Sequence, residues 1–256
     1  MSVFAPPWLT ARPIAHRGLH SQRGAVENSL AAADAAIAAG FAIECDVQIS
    51  RDGEAMVFHD DGLERLTDSQ GPLDRHDAKA LQAMTLRGTT STIPTLSDLL
   101  WRVAARTPLI CEIKSGFQGD PRLARRVVEV AATYAGPLAF KSFDPEVMAL
   151  LRNLAPRWPE GAPRPLGIVA MARFEAEEWP DLSAEQRRDC AAFLHVGRTK
   201  PDFVSFYVDD LPHATPVLLK ALSGAPSMAW TVRTPEQRAL AGQYADQIVF
   251  EGDGRP

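Results

Sequence analysis

Residues 40–61 read GFAIECDVQISRDGEAMVFHDD, and two patterns in that stretch set the architecture. The run from Ala42 to Val47 is apolar except for Glu44 and Asp46, which stand two apart. In an extended strand that spacing puts both carboxylates on one face and Cys45 on the other. Short, mostly apolar runs of this kind are what parallel strands covered on both faces look like. Downstream, Asp52-Gly53 between apolar runs is a hairpin signal. The chain therefore turns back through AMVFHDD as an excursion from the end of the second strand, not as a further barrel strand.

Outward from this segment, short apolar runs alternate with amphipathic ones. The predicted strands are Pro13–His16, Ala42–Val47, Leu109–Ile113, Leu138–Ser142, Leu166–Ala170, Phe203–Phe206, Met228–Val232 and Gln247–Phe250. The predicted helices are Ser29–Ala39, Leu96–Ala105, Arg122–Tyr134, Pro145–Leu154, Ala184–Phe193, Ala214–Leu222 and Pro235–Gln243. Their apolar residues fall three and four apart, as in Val127, Val128, Val130 and Ala131. Eight strands joined by seven helices is the count of a closed (β/α)₈, or TIM, barrel. One domain then spans 1–256, with an insertion over about 51–94 that contains Gly71-Pro72 and a short helix near Ala78–Met84. Long loops on one face of a barrel tend to carry function. An open doubly wound sheet would need a Gly-rich turn after its first strand, and His16-Arg17-Gly18-Leu19 does not supply one.

Bulk composition narrows the function class. The chain has 256 residues, 46% hydrophobic and 23% charged, which suits a globular core. A formal net charge of -5 leaves no basic footprint for nucleic acid, and it disfavours anionic membranes. No stretch approaches the ~20 apolar residues of a membrane span, so stable membrane insertion is not expected. Met1 to Ala15 lacks the basic start and apolar run of a secretory signal. Cys45, Cys111 and Cys190 cannot all pair within the chain and show no CxxC spacing, the pattern of reduced thiols in a cytoplasmic protein. Oligomeric state is not written in the sequence.

The chemistry concentrates in a few places. Glu44 and Asp46 on one strand face repel each other unless a cation or a proton lies between them. A third carboxylate, Glu112, ends the apolar run of LICEIKS, with Lys114 following on the same face. Three carboxylates at the C-terminal ends of strands form an oxygen-rich site for one hard divalent cation, Mg²⁺ or Ca²⁺. His16 and Arg17 end the first strand, and His59 and Asp60 end the second strand of the excursion. Two histidines beside a metal site can act as general acid and general base. Arg17 carries a planar fork suited to phosphate oxygens. His20, His76, His195 and His213 lack such company and read as surface or packing residues.

The series His16-Arg17-Gly18, Glu27-Asn28, Glu44-Cys45-Asp46-Val47, Asp52-Gly53, His59-Asp60, Arg65 and Thr67 resembles the signature of the glycerophosphodiester phosphodiesterase family. Glu112-Ile113-Lys114, Ser142-Phe143 and Trp230-Thr231-Val232 agree with it. The resemblance implies a (β/α)₈ barrel with a segment inserted after the second strand. It implies that Glu44, Asp46 and Glu112 bind the divalent cation, that His16 and His59 are the acid/base pair, and that Arg17 and Lys114 hold the phosphate. It also implies that Trp230 walls the glycerol pocket and that Glu27 and Asn28 brace the site, Glu27 counting among the substrate-binding groups. Asn28 suits, in addition, an N-cap for the helix starting at Ser29. The implied reaction is cleavage of a small-molecule glycerophosphodiester into glycerol 3-phosphate and an alcohol. In it the glycerol 2-hydroxyl attacks first, and water then opens a cyclic phosphate.

Two other readings stand beside this one. A lysophospholipase D or sphingomyelinase D-like enzyme would cleave on the same site and release a cyclic phosphate. A non-catalytic glycerophosphodiester-binding protein would need neither a metal nor two proton carriers. Some positions depart from the family pattern. Val26 replaces a proline before the Glu-Asn pair, and the last strand runs into Val249-Phe250-Glu251-Gly252-Asp253 where relatives carry Thr-Asp or Thr-Asn. Lys141 precedes Ser142, where it either adds positive charge near the mouth or caps the fourth strand.

Overall fold

The computed structural model describes residues 3–20 and 24–256. Among them, one sheet holds nine strands: β1 (Ile14–Ala15), β2 (Ala42–Ile49), β3 (Ala55–Val57), β4 (Leu109–Ile113), β5 (Leu138–Ser142), β6 (Leu166–Ala170), β7 (Phe203–Tyr207), β8 (Ser227–Val232) and β9 (Gln247–Phe250). Their order is β1-β9-β8-β7-β6-β5-β4-β2-β3, and a further parallel pairing of β1 with β2 closes the ring. Every pairing around the ring is parallel. β3 lies outside it, antiparallel to β2, with Val47 opposite Val57 and Ile49 opposite Ala55. The result is the (β/α)₈ barrel expected from the alternation, with the excursion where the Asp52-Gly53 turn places it. That turn closes through Gly53 N donating to Ser50 O at 3.0 Å, Gly53 itself having φ 88.

Helices follow the strands around the outside: α1 (Leu30–Ala38), α2 (Ala78–Gln82), α3 (Leu96–Val103), α4 (Arg122–Ala131), α5 (Pro145–Leu154), α6 (Ala184–Ala191), α7 (Val196–Thr199), α8 (Ala214–Ser223) and α9 (Pro235–Tyr244). Capping boxes at Thr95/Asp98, Ser183/Gln186 and Thr234/Gln237 set the starts of α3, α6 and α9 by satisfying free N–H groups of the first turn. Several ends fall short of the periodicity. α3 stops at Val103 because Ala104 turns left-handed at φ 46, and α6 stops before Phe193 at φ 57. α2 ends at Gln82 and α4 at Ala131, two and three residues before the expected ends. One expectation is corrected. The cap of α1 is Ser29, whose hydroxyl accepts from Ala32 N, and Asn28 sits left-handed at φ 56 with its side chain committed elsewhere.

Two apolar layers hold the barrel. The larger lies between strands and helices and includes Cys45, Cys111, Phe140, Ile168 and Phe206. The smaller fills the barrel interior with Ile14, Ala42, Ile110, Ala139, Phe203, Met228 and Val249, plugged from below by Leu9 and Trp8. Each fully buried Leu, Ile, Val, Phe or Met side chain contributes roughly 1.5–3 kcal/mol relative to exposure. Period-two alternation then decides what stands above that layer. Two residues further along each strand come His16, Glu44, Glu112, Lys141, Val169, Ser205, Trp230 and Glu251. The interior therefore changes from hydrocarbon to charge in one step toward the C-terminal ends of the strands. The excursion packs a core of its own from Met56, Phe58, Leu63, Leu73, Leu81, Leu86 and Ile93, and that core fixes the loop carrying His59 and Asp60.

Candidate functional site

Glu44, Asp46 and Glu112 are buried at 0%, 1% and 5% exposure, and one oxygen from each lies within 4.8 Å of the others. Register brings them together, since Asp46 pairs with Glu112 across β2 and β4. A divalent cation fits this donor set. All three groups offer hard oxygens, and Glu44 Oε1 is buried with no hydrogen bond, its charge met by Lys141 Nζ at 3.0 Å. Burial would raise the Asp46 carboxyl, but Lys114, His59, Arg17 and His16 outweigh it and hold the group well below the usual carboxylate range. Burial likewise opposes ionisation of Glu112, and Lys141 and Lys114 reverse that effect. Both carboxylates stay charged at neutral pH. Asn28 clamps β2, with Nδ2 donating to Asp46 Oδ2 at 2.9 Å and Oδ1 accepting from Asp46 N at 3.2 Å.

The turn after β1 is shaped around these acids. Arg17 takes a left-handed conformation at φ 55, which aims its N–H at Glu44 Oε2, 3.0 Å away. Its side chain lies 2.7 Å from Glu27 Oε1 through Nη1 and 3.3 Å from Asp46 Oδ2 through Nε. Gly18 follows at φ +78, so close to α1 that a Cβ there would meet Ala32 at 2.8 Å. Glycine is required on both counts. Glu27 continues the network, accepting from Arg65 at 2.8 and 2.7 Å. Arg65 also holds Asp60, whose Oδ1 lies 2.7 Å from His59 Nδ1. Gln48 at the end of β2 donates to the backbone oxygen of His59 at 2.8 Å and so ties the excursion to the barrel.

The structure brings His16, Arg17, Glu27, Glu44, Asp46, His59, Glu112 and Lys114 to one end of the barrel. Lys114 Nζ lies 3.4 Å from Glu112 Oε1 and 3.8 Å from Asp46 Oδ1. Trp230 stands on the same rim and donates from Nε1 to Ser205 O at 2.9 Å. It meets Phe143 edge-on at 5.3 Å, and Phe143 lies 4.9 Å from Trp179. A cleft of about 60 Å³ between Glu112, Lys114, Phe117, Phe143 and Trp179 opens beside the carboxylates.

Three neighbours were not given a role at the site by sequence reasoning, although Lys141 was noted as a charge that either faces the mouth or caps its strand. Glu251 lies 3.6 Å from His16 Nδ1, 3.2 Å from His20 Nε2 and 2.9 Å from Arg233 Nε. His16 Nδ1 and His20 Nε2 make no hydrogen bond, so these two are close polar approaches. His16 and His20, against the effect of burial and with help from Arg233, hold Glu251 well below the usual carboxylate range. His20, set aside as a surface or packing residue, is thus a site neighbour. Lys141 reaches Glu44 and Glu112, each at 3.0 Å. Alternation along β5 and β9, counted from Ala139 and Val249, would have placed Lys141 and Glu251 on the inner face. Nothing local marks His20. His195 and His213 do pack away from the site, His195 buried beside Phe193 and His213 stacked on Phe206.

The glycerophosphoryl diester phosphodiesterase family model matches residues 16–249. A glycerophosphodiester phosphodiesterase of Caldanaerobacter subterraneus subsp. tengcongensis is 28% identical over 166 residues, covering 61% of this chain and 68% of that protein. A phosphodiesterase of Oleispira antarctica, solved in complex with the product sn-glycerol-3-phosphate, superposes with a TM-score of 0.75 at 24% identity. That match covers 94% of each chain. A glycerophosphodiester phosphodiesterase of Parabacteroides distasonis superposes with a TM-score of 0.70 at 19% identity, over 93% of this chain and 92% of that one. At such identities the two structures establish the fold. The family match spans nearly every residue of the site as well as the barrel, and the chain belongs to the glycerophosphoryl diester phosphodiesterase family.

Proposed function

We propose that this protein hydrolyses glycerophosphodiesters to glycerol 3-phosphate and an alcohol, with one divalent cation, Mg²⁺ or Ca²⁺, held by Glu44, Asp46 and Glu112. The observation that carries the reading is the convergence of those three buried carboxylates beside two imidazoles, each in contact with its own acid: His16 with Glu251, and His59 with Asp60. A bound cation would supply Lewis-acid polarisation of a phosphoryl oxygen. Arg17 and Lys114 bind and orient the phosphate, and their fixed charges offset the charge that develops on it. His16 and His59 divide the proton work. One takes the proton of the glycerol 2-hydroxyl as it attacks phosphorus and the other protonates the departing alcohol; water then opens the resulting cyclic phosphate to glycerol 3-phosphate, the two imidazoles exchanging roles. Glu27 positions Arg17 and Arg65, and Trp230 walls the space for glycerol. Residues 1–256 act in this reading as one unit, with 51–94 supplying His59 and Asp60. The three cysteines are unpaired and buried, which supports a reducing, cytoplasmic setting. Among the described residues, no helix is long and apolar enough to cross a membrane.

The test is turnover of glycerophosphocholine after chelation, with Mg²⁺ and Ca²⁺ added back separately. Loss and recovery of glycerol 3-phosphate release is expected, and full activity in chelator would overturn the cation assignment. A second reading draws on the aromatic rim. Phe117, Phe143 and Trp179 beside Glu112 and Lys114 offer an apolar wall that an acyl chain of a lysophospholipid would also use. Phosphorus NMR of products from lysophosphatidylcholine separates the two, because the second reading requires an accumulating cyclic phosphate.

A further inference from the structure

The carboxylate cluster contains a cation of its own. Lys141 on β5 is 2% exposed, and its Nζ lies 3.0 Å from Glu44 Oε1 and 3.0 Å from Glu112 Oε2. Its place is set by the sheet, since Lys141 pairs with Glu112 and Glu112 with Asp46. Lys114 differs, standing farther off at 3.4 and 3.8 Å with its side chain partly exposed. Within the centre, Lys114, Lys141 and Arg17, the last shared with Glu27, lie against Glu44, Asp46 and Glu112. The acids therefore have cationic partners without any added ion. An ammonium within ion-pair distance of two of the three acids stands where a cation bound by those acids must come. Two positive charges at that separation, with little water between them, repel strongly.

We propose that Lys141 is an internal competitor for the divalent-cation site: its ammonium bridges Glu44 and Glu112 when no ion is bound, and it leaves at least one of them when an ion enters. This rests on the reading of Glu44, Asp46 and Glu112 as a cation site. Lys141 weakens metal affinity relative to the bare carboxylates, and it keeps the metal-free barrel folded by preventing three buried acids from repelling one another. The four-carbon lysine stem gives the ammonium room to move while its backbone stays in the sheet.

The experiment is calorimetric titration of Mg²⁺ and Ca²⁺ into chelator-treated wild type, Lys141→Met and Lys141→Arg, with thermal melts of each in chelator and in metal. Lys141→Met should bind the ion about tenfold more tightly or better, the competitor at ion-pair distance being gone. It should also melt lower than wild type in chelator and gain more from added metal. Lys141→Arg should retain weak binding. Equal or weaker affinity in a folded Lys141→Met protein overturns the proposal and leaves the cation site standing. No uptake by either wild type or Lys141→Met overturns the cation site, and the proposal with it. Should Lys141→Met fail to fold, ¹⁵N-lysine-labelled wild type decides. The Lys141 ammonium signal must move on saturation with metal, and an unmoved signal in metal-bound protein refutes the displacement.

Discussion

Replacing Glu251 by glutamine removes one negative charge from beside His16 while keeping the shape of the side chain. The charge lies 3.6 Å from His16 Nδ1, so a proton gained by that imidazole during catalysis is stabilised by roughly 5 kcal/mol at an effective dielectric of ~20 and by roughly 1 kcal/mol in bulk water. The side chains are 10% and 23% exposed, between these limits, and Arg233 shares Glu251 Oε2 at 2.9 Å. Both facts reduce the effect, to about 1.5 kcal/mol, or about tenfold in kcat. The assay is release of glycerol 3-phosphate from glycerophosphocholine, measured for wild type, Glu251→Gln, His16→Ala and the double variant. If Glu251 acts through His16, its replacement lowers kcat with little change in KM, and it costs nothing further once His16 is alanine. A Glu251→Gln enzyme within twofold of wild type, or an additive double variant, refutes this account.

Three further outcomes are expected. His16→Ala and His59→Ala should each lower turnover by about 10²-fold or more if they carry the proton transfers, and a near-normal rate in either removes that residue from the role. Asn28→Gly keeps the left-handed backbone but loses both hydrogen bonds to Asp46. Calorimetry should show metal affinity reduced by about 10- to 100-fold, as for other groups that orient a ligand, and unchanged affinity would show the clamp to be idle. His195 is pushed down to about 4, first by burial and then by Arg198. The unfolded chain takes up this proton near pH 6.5 and the folded one only near 4, so the stabilisation is complete above pH 6.5 and falls as the pH drops. Urea unfolding should lose about 1.5 kcal/mol between pH 6.5 and 5, a range above the ordinary titration of the lowered carboxylates, and His195→Asn should flatten that slope.

The electrostatics of the mouth follow from one feature of strand geometry. Side chains alternate, so each inward apolar residue of the lower tier specifies an inward neighbour two positions on, at the height of the site. That rule joins His16, Glu44, Glu112, Lys141, Trp230 and Glu251 although they lie on, or one residue past, six different strands. It also explains why residues set aside in the linear chain return as neighbours. Glu251 reads from sequence as a departure at a strand end, and Lys141 as a charge that either faces the mouth or caps the fourth strand. Once the ring closes through β1 with β9 and β5 pairs with β4, one touches His16 and the other touches two of the three acids.

The sequence by itself determined the barrel, the excursion and the identity of the main acids and imidazoles. Each of these is written in local signals: apolar runs of strand length, an Asp-Gly turn, and a Glu-X-Asp pair on one face. Those signals depend on φ/ψ preference and period, which neighbours in the chain settle among themselves. Tertiary structure alone decided the register between strands, and with it the meeting of Lys141 with Glu44 and Glu112. It likewise decided the reach of Glu251 and His20 toward His16, and the commitment of Asn28 to Asp46 while Ser29 capped the helix. Register sets which charges share a low-dielectric space, and no stretch of chain contains both partners. The charge balance of the site is therefore a property of the closed barrel.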